Sequence, residues 1–123
     1  MSVLTAFTTQ LLRFFEELQG SFPEEREIRM ATEAIAGAKR INPRLVLDLF
    51  YEHVYLIAAT AIYEKDVDAI IRAGQAKIST QFNEMSPALS IFNKHWNTMG
   101  TANQESIWQY LTVLCKLCEK AKA

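Results

Sequence analysis

Residues 43–62 read PRLVLDLFYEHVYLIAATAI, and the reading of this stretch decides the fold. At helical spacing Leu45, Leu49, His53 and Leu56 lie along one face, and Val46, Phe50, Val54 and Ile57 along the next. The charged groups before its end are Arg44, Asp48 and Glu52. A helix that is apolar on nearly every side belongs in the middle of a helical domain or in a membrane. The charges interrupt this one, and its clean run 54–59 falls far short of the roughly 18–20 apolar residues a span needs. The expectation is a central, buried helix that the other helices wrap, with no transmembrane segment.

Working toward the N-terminus, residues 3–19 place Leu4, Phe7, Leu11, Phe14 and Leu18 on one helical stripe, with Gly20 as a C-terminal cap. Ser21 and Glu24 have capping-box spacing, and Pro23 suits a first turn. The helix they predict carries Ile28, Ala31, Ile35 and Ala38 on its inner face, and Gly37 predicts a tight crossing. Acidic residues at its start and Lys39 and Arg40 at its end complement the helix dipole. Asn42-Pro43 then stops that helix and starts the central one.

Toward the C-terminus, Asp66 caps a helix whose stripe runs Val67, Ile70, Ile71, Gly74, Ile78, Phe82 and Met85. Gly74 on that stripe predicts close backbone contact. Ser86-Pro87 opens a short helix over 87–99, closed by Gly100. Thr101 to Gln104 repeats the capping-box spacing before a last helix over 102–120. No segment reads as a strand, a repeat or an interdomain linker. The fold predicted is all-α: one domain over 1–123, a compact five- or six-helix orthogonal bundle around the central apolar helix 43–62.

Composition sets the function classes. A chain of 123 residues, half of them hydrophobic, with four glycines and three prolines, favours long regular elements. At this size it buries roughly two-thirds of its unfolded surface, so it needs neither disulfide nor metal to fold. Thirteen basic and fourteen acidic residues leave a net charge of −1, which offers no nucleic-acid coat or polybasic membrane anchor. The first residues lack the basic n-region of a signal peptide, and the expected setting is a reducing compartment.

Chemical motifs are few. Cys115 and Cys118 form a C-x-x-C near a helix C-terminus, where the dipole opposes a thiolate, and His53 and His95 alone remain to complete a zinc site. Two small apolar thiols on a core face explain the pair better. His53 reads as a core histidine hydrogen-bonded to a neighbour, although a deep polar pocket around it would revive an enzyme; His95 reads as surface or interfacial. Lys39, Arg40 and Arg44 form a modest basic patch at the Asn42-Pro43 corner, but the helix that follows is too apolar for DNA recognition, which argues against a nucleic-acid partner. No phosphate loop or nucleophile motif is present. No catalytic residue, cofactor, metal or small-molecule substrate is therefore expected. Aromatic residues are in surplus over one face per helix. Phe15, Tyr51 and Tyr110 point away from the main stripes, and with Tyr55 and Trp96 they are the candidate protein-interaction residues.

Phe15, Leu18 and Phe22-Pro23-Glu24, then Ile41-Asn42-Pro43-Arg44, then Trp96 and Ile107-Trp108-Gln109-Tyr110-Leu111 with Leu114 carry a resemblance along most of the chain. The set resembles short helical proteins encoded by large double-stranded DNA viruses of algae and protists. The resemblance implies a viral origin and a virion role such as a minor capsid protein; its residues are caps and core. The expected function is a non-enzymatic structural or protein-interaction module whose partners are other proteins, capsid proteins or a second copy, in the virion or the infected-cell cytoplasm. The alternative is a soluble adaptor that regulates a host or viral protein during infection.

Overall fold

The structure, a computed structural model, describes residues 2–78 and 83–123, without the side chains of Lys77 and Ile78. Among the described residues the chain is all-α, six helices with no strand. They are α1 (Val3–Ser21), α2 (Arg26–Ile41), α3 (Pro43–Tyr63), α4 (Val67–Ile78), α5 (Ser86–Lys94) and α6 (Thr101–Lys122). A 3₁₀ turn, Trp96–Thr98, joins the last two. The middle of α3, Tyr51–Tyr55, widens into a π turn. Phe82 lies outside the described residues, and Met85 caps α5 instead of continuing the α4 stripe.

Helix α3 is central in a literal sense: it packs against each of the other five helices. Its buried side (Val46, Leu47, Phe50, Val54, Ala58, Ile62) meets Phe7, Leu11 and Phe14 of α1 in one continuous core. Phe7 and Phe50 meet edge to face at 5.2 Å. A second aromatic group closes the far end, where Trp96 stacks on Phe92 at 4.7 Å and meets Trp108 at 5.1 Å. Such pairs contribute about 0.5–1.5 kcal/mol each beyond the area they bury.

Several helix ends differ from the sequence expectation. Helix α1 runs through Gly20 to Ser21, because the Phe22 N–H still reaches the Leu18 carbonyl at 2.9 Å and Pro23 is the first residue unable to continue. Ser21 therefore caps nothing, and α2 starts later, at Arg26 after Glu25. Gly100 opens α6 instead of closing α5, and the Gln104 amide donates to the Trp96 carbonyl at 2.8 Å in place of a capping box. At the end of α3, Asp66 N–H reaches Ala61 and Lys65 N–H reaches Ile62, a Schellman arrangement that puts Lys65 at φ 53°. Asp66 caps α4 as expected, accepting from the Ala69 N–H at 3.1 Å.

The two helical glycines split. A Cβ placed on Gly74 would stand 3.2 Å from the Leu89 Cβ, so α4 and α5 do meet at close range there. A Cβ on Gly37 would meet nothing within 4 Å, so no tight crossing occurs there and Gly37 sits on an open face.

Candidate interaction surface

Helix α3 is central but not enclosed. Its outer face carries Leu45, 46% exposed, Leu56, 60% exposed, and Tyr63, 41% exposed, with Ile41 at 88% just before it. Glu52 and Thr60 are exposed on the same side. The five surrounding helices cover one side of an element that is apolar all round, and one apolar side is left over. By length and composition alone α3 could also cross a membrane, with mean hydropathy 1.5 over its most apolar window.

The π turn changes the register of α3 beyond Tyr55. It adds a residue to one helical turn and rotates everything beyond it. Even at regular spacing Leu45, Glu52 and Leu56 fall on one side and are exposed, while His53 falls toward Val46 and is buried. Glu52 is the residue that could have revealed this face, since a charge flanked by Leu45 and Leu56 marks the wet side of a helix. Glu52 makes no ion pair among the described residues.

One border of the face is a polar seam with α6. Tyr55 and Tyr63 donate to the same Glu119 oxygen at 2.8 and 2.6 Å. Those two hydroxyls hold the Glu119 carboxyl below the usual carboxylate range. In return the Glu119 hydrogen bond is the leading cause that pushes the Tyr55 hydroxyl up to about 12. Burial, then Glu119, raises Tyr63. Tyr51 stacks on Tyr55 at 5.5 Å, and the Lys122 ammonium sits 4.6 Å over the Tyr51 ring and 2.8 Å from Asp48.

The predicted interaction residues fare unequally. Phe15 is fully buried between α1 and its neighbours and cannot meet a partner; the stripe on α1 is wide enough to take both Phe14 and Phe15, which touch at 5.7 Å. Trp96 is likewise core, held by Phe92 and Trp108, because the 3₁₀ turn folds it back under α5. Tyr51, Tyr55 and Tyr110 are half-buried. The first two form the seam, and Tyr110 rests on Phe14 at 5.6 Å. Leu45, Leu56 and Tyr63, absent from the expected set, are the large apolar residues of α3 that are exposed.

The remaining polar groups are placed as follows. Cys115 and Cys118 are free and buried, and burial pushes their thiols up to about 12 and about 11. Among the described residues no group of three or more His, Cys, Asp or Glu gathers as a metal site would require. His53 is buried as expected, but its Nδ1 has no hydrogen-bond partner, which departs from the expected core hydrogen bond. His95 stacks on Phe22 at 4.2 Å, and its Nε2 lies 2.8 Å from Glu25. A cavity of about 130 Å³ beside that pair is lined by Ile28, Pro87, Ser90 and Lys94 as well. Further cavities of about 320 Å³ lie between α4 and α5 and along the α1–α6 groove. His53 lines none of these.

Comparison of the chain with protein-family models, with curated proteins and with solved structures finds no match.

Proposed function

We propose that the chain is a non-enzymatic protein-interaction module that receives a partner's helix on the outer face of α3. The observation that carries this reading is the exposure of Leu45 and Leu56 on the element that holds the whole core together. Large apolar side chains on a rigid helix cost little entropy to bury and are suited to a helix-in-groove or helix-on-helix contact.

Charge selects the occupant. Glu52 lies between the two leucines, and Asp48 nearby is taken by Lys122. A second copy packed two-fold, with Leu45 on Leu56, would bring the two Glu52 carboxylates within about one helical turn, about 5 Å along the axis. Like charges so placed disfavour self-pairing. The fitting partner is an amphipathic helix of another protein with a basic residue between apolar ones.

A display selection of amphipathic helical peptides on the whole chain tests this. Enriched peptides are expected to centre a Lys or Arg between apolar positions. Leu56→Glu is expected to abolish the enrichment, and Glu52→Lys to turn the central preference acidic. Peptides enriched equally on the Leu56→Glu variant would contradict the reading. The viral resemblance supports a setting as well: a virion, with a capsid protein as the partner. An inventory of virion proteins that lacks the chain would remove the capsid part and leave an adaptor of the infected cell.

A further inference from the structure

The near-neutral balance of the chain conceals a local imbalance. From the start of α2 through the first turn of α3, residues 26–44 hold five basic residues, Arg26, Arg29, Lys39, Arg40 and Arg44, against Glu27 and Glu33. The segment is three charges positive inside a chain of net −1. All four arginines are exposed, and none of the five cations makes an ion pair among the described residues. Of the two acids just before them, Glu25 is held by His95 and Lys94, while Glu24 is exposed.

Apolar side chains are interleaved with these cations on the solvent side. Met30 is 53% exposed, and Ile41 is the most exposed large hydrophobic residue among those described. At helical spacing Arg26, Met30, Gly37 and Ile41 fall on one face of α2, and Arg29 and Arg40 border it. Between them on this strip Ala34 and Gly37 are small, and even a Cβ on Gly37 would touch nothing. The exposed Glu33 lies on the same face, one turn from Arg29, and is one of the acids already subtracted in the local charge. The strip is about 20 Å long at the helical rise. At the Asn42-Pro43 corner Ile41 projects with Arg40 on one side and Arg44 on the other.

We infer that the outer face of α2 and the Ile41 corner form a docking surface for an anionic lipid bilayer. Exposed cations before and after a projecting aliphatic side chain match the two layers of such a surface. The guanidinium groups meet lipid phosphates and carboxylates, while Ile41 and Met30 enter the acyl boundary. Nucleic acid would satisfy the cations but leave Ile41 and Met30 in water. This surface adjoins the partner-helix face at Ile41 and Leu45, but it is argued from the cations and Met30 of α2, which that reading does not use.

Each basic side chain near an anionic leaflet raises partitioning about fivefold. A net of three such charges therefore predicts a preference for anionic over neutral vesicles on the order of a hundredfold. The experiment is co-sedimentation of the full chain with phosphatidylcholine vesicles and with vesicles in which about one-third of the lipid is phosphatidylserine. Binding is expected to the second alone, and to weaken as salt rises. The double change Arg40→Gln with Arg44→Gln is expected to reduce it about 25-fold, and Ile41→Ser about tenfold. Arg40→Lys, which keeps the charge, is expected to retain it. Equal binding to both vesicles, or to neither, would overturn the inference. So would tighter binding to duplex DNA than to the anionic vesicles that ignores Ile41→Ser, which would make the face a nucleic-acid surface.

Discussion

Gly37 and Gly74 are the same residue type on two helices, and their surroundings reverse what a methyl group would do. Alanine is favoured over glycine in a helix interior by about 1 kcal/mol. At Gly37 nothing stands within 4 Å of the new Cβ, so Gly37→Ala is expected to raise stability by about 0.5–1 kcal/mol. At Gly74 the neighbour at 3.2 Å is the Leu89 Cβ, which is fixed to backbone and cannot rotate away. There the clash offsets the propensity gain, and Gly74→Ala is expected to lower stability by about 1–2 kcal/mol. Paired urea melts measure both; a gain at Gly74 would mean that α4 and α5 do not meet as described.

Titration at single residues gives a second expectation. The buried Cys115 and Cys118 thiols and the bonded Tyr55 hydroxyl all hold their protons more tightly folded than unfolded. Above about pH 9 the unfolded chain gives up thiol protons that the folded chain keeps, and above about pH 10 the same holds for Tyr55. The unfolded state then binds fewer protons, so stability falls as pH rises, progressively from about 9 to about 12. Glu25 and Glu119, lowered by their hydrogen bonds, act at the other end, and their contribution is lost as pH falls through the carboxylate range. Melting temperature across pH reads both limbs. Replacing both cysteines with alanine should flatten the part of the alkaline fall between about 9 and 10.

At the scale of the element, α3 separates a closed side from an open one. Phe50 is fully enclosed and meets Phe7, so Phe50→Ala is expected to cost about 3–5 kcal/mol. Leu56 stands outside, and Leu56→Ala is expected to change stability by no more than about 0.5 kcal/mol. Periodicity made the stripes of α1 and α2 legible, since Phe7, Leu11, Phe14, Ile28 and Ile35 are all core. It could not resolve α3, where every face is apolar and the π turn shifts the count midway. Helix ends were legible where a proline enforces them, as at Pro43, and misread where a capping residue had an equally good alternative. Ser21 and Glu24 have capping-box spacing, yet Phe22 extends α1 first and Glu25 pairs with His95 across the fold.

For the whole molecule, the all-α architecture was legible because five amphipathic segments around one that is apolar on nearly every side leave few ways to bury their stripes. The surfaces were not. Aromatic type pointed to Phe15 and Trp96, but large rings are the side chains a small core most needs, and both went inside. Overall charge pointed away from any polyanionic partner, because a sum over the chain cannot show that Arg26, Arg29, Arg40 and Arg44 share a region and make no ion pair among the described residues. Exposure emerges only when helices compete to cover one another, and in this chain the outer side of α3 is left open.

That open side is tested most directly by the reactivity of a thiol placed on it. In a Leu56→Cys chain the native Cys115 and Cys118 are buried and protonated, so the introduced thiol should be the one that reacts with a soluble disulfide reagent in the folded protein. The expected rate is close to that of a free cysteine, and it should slow about tenfold or more when a selected basic amphipathic helix is bound and desolvates the sulfur. An introduced thiol as inert as the native pair, or one whose rate ignores the bound helix, would contradict the claim that this face is open and made to be covered.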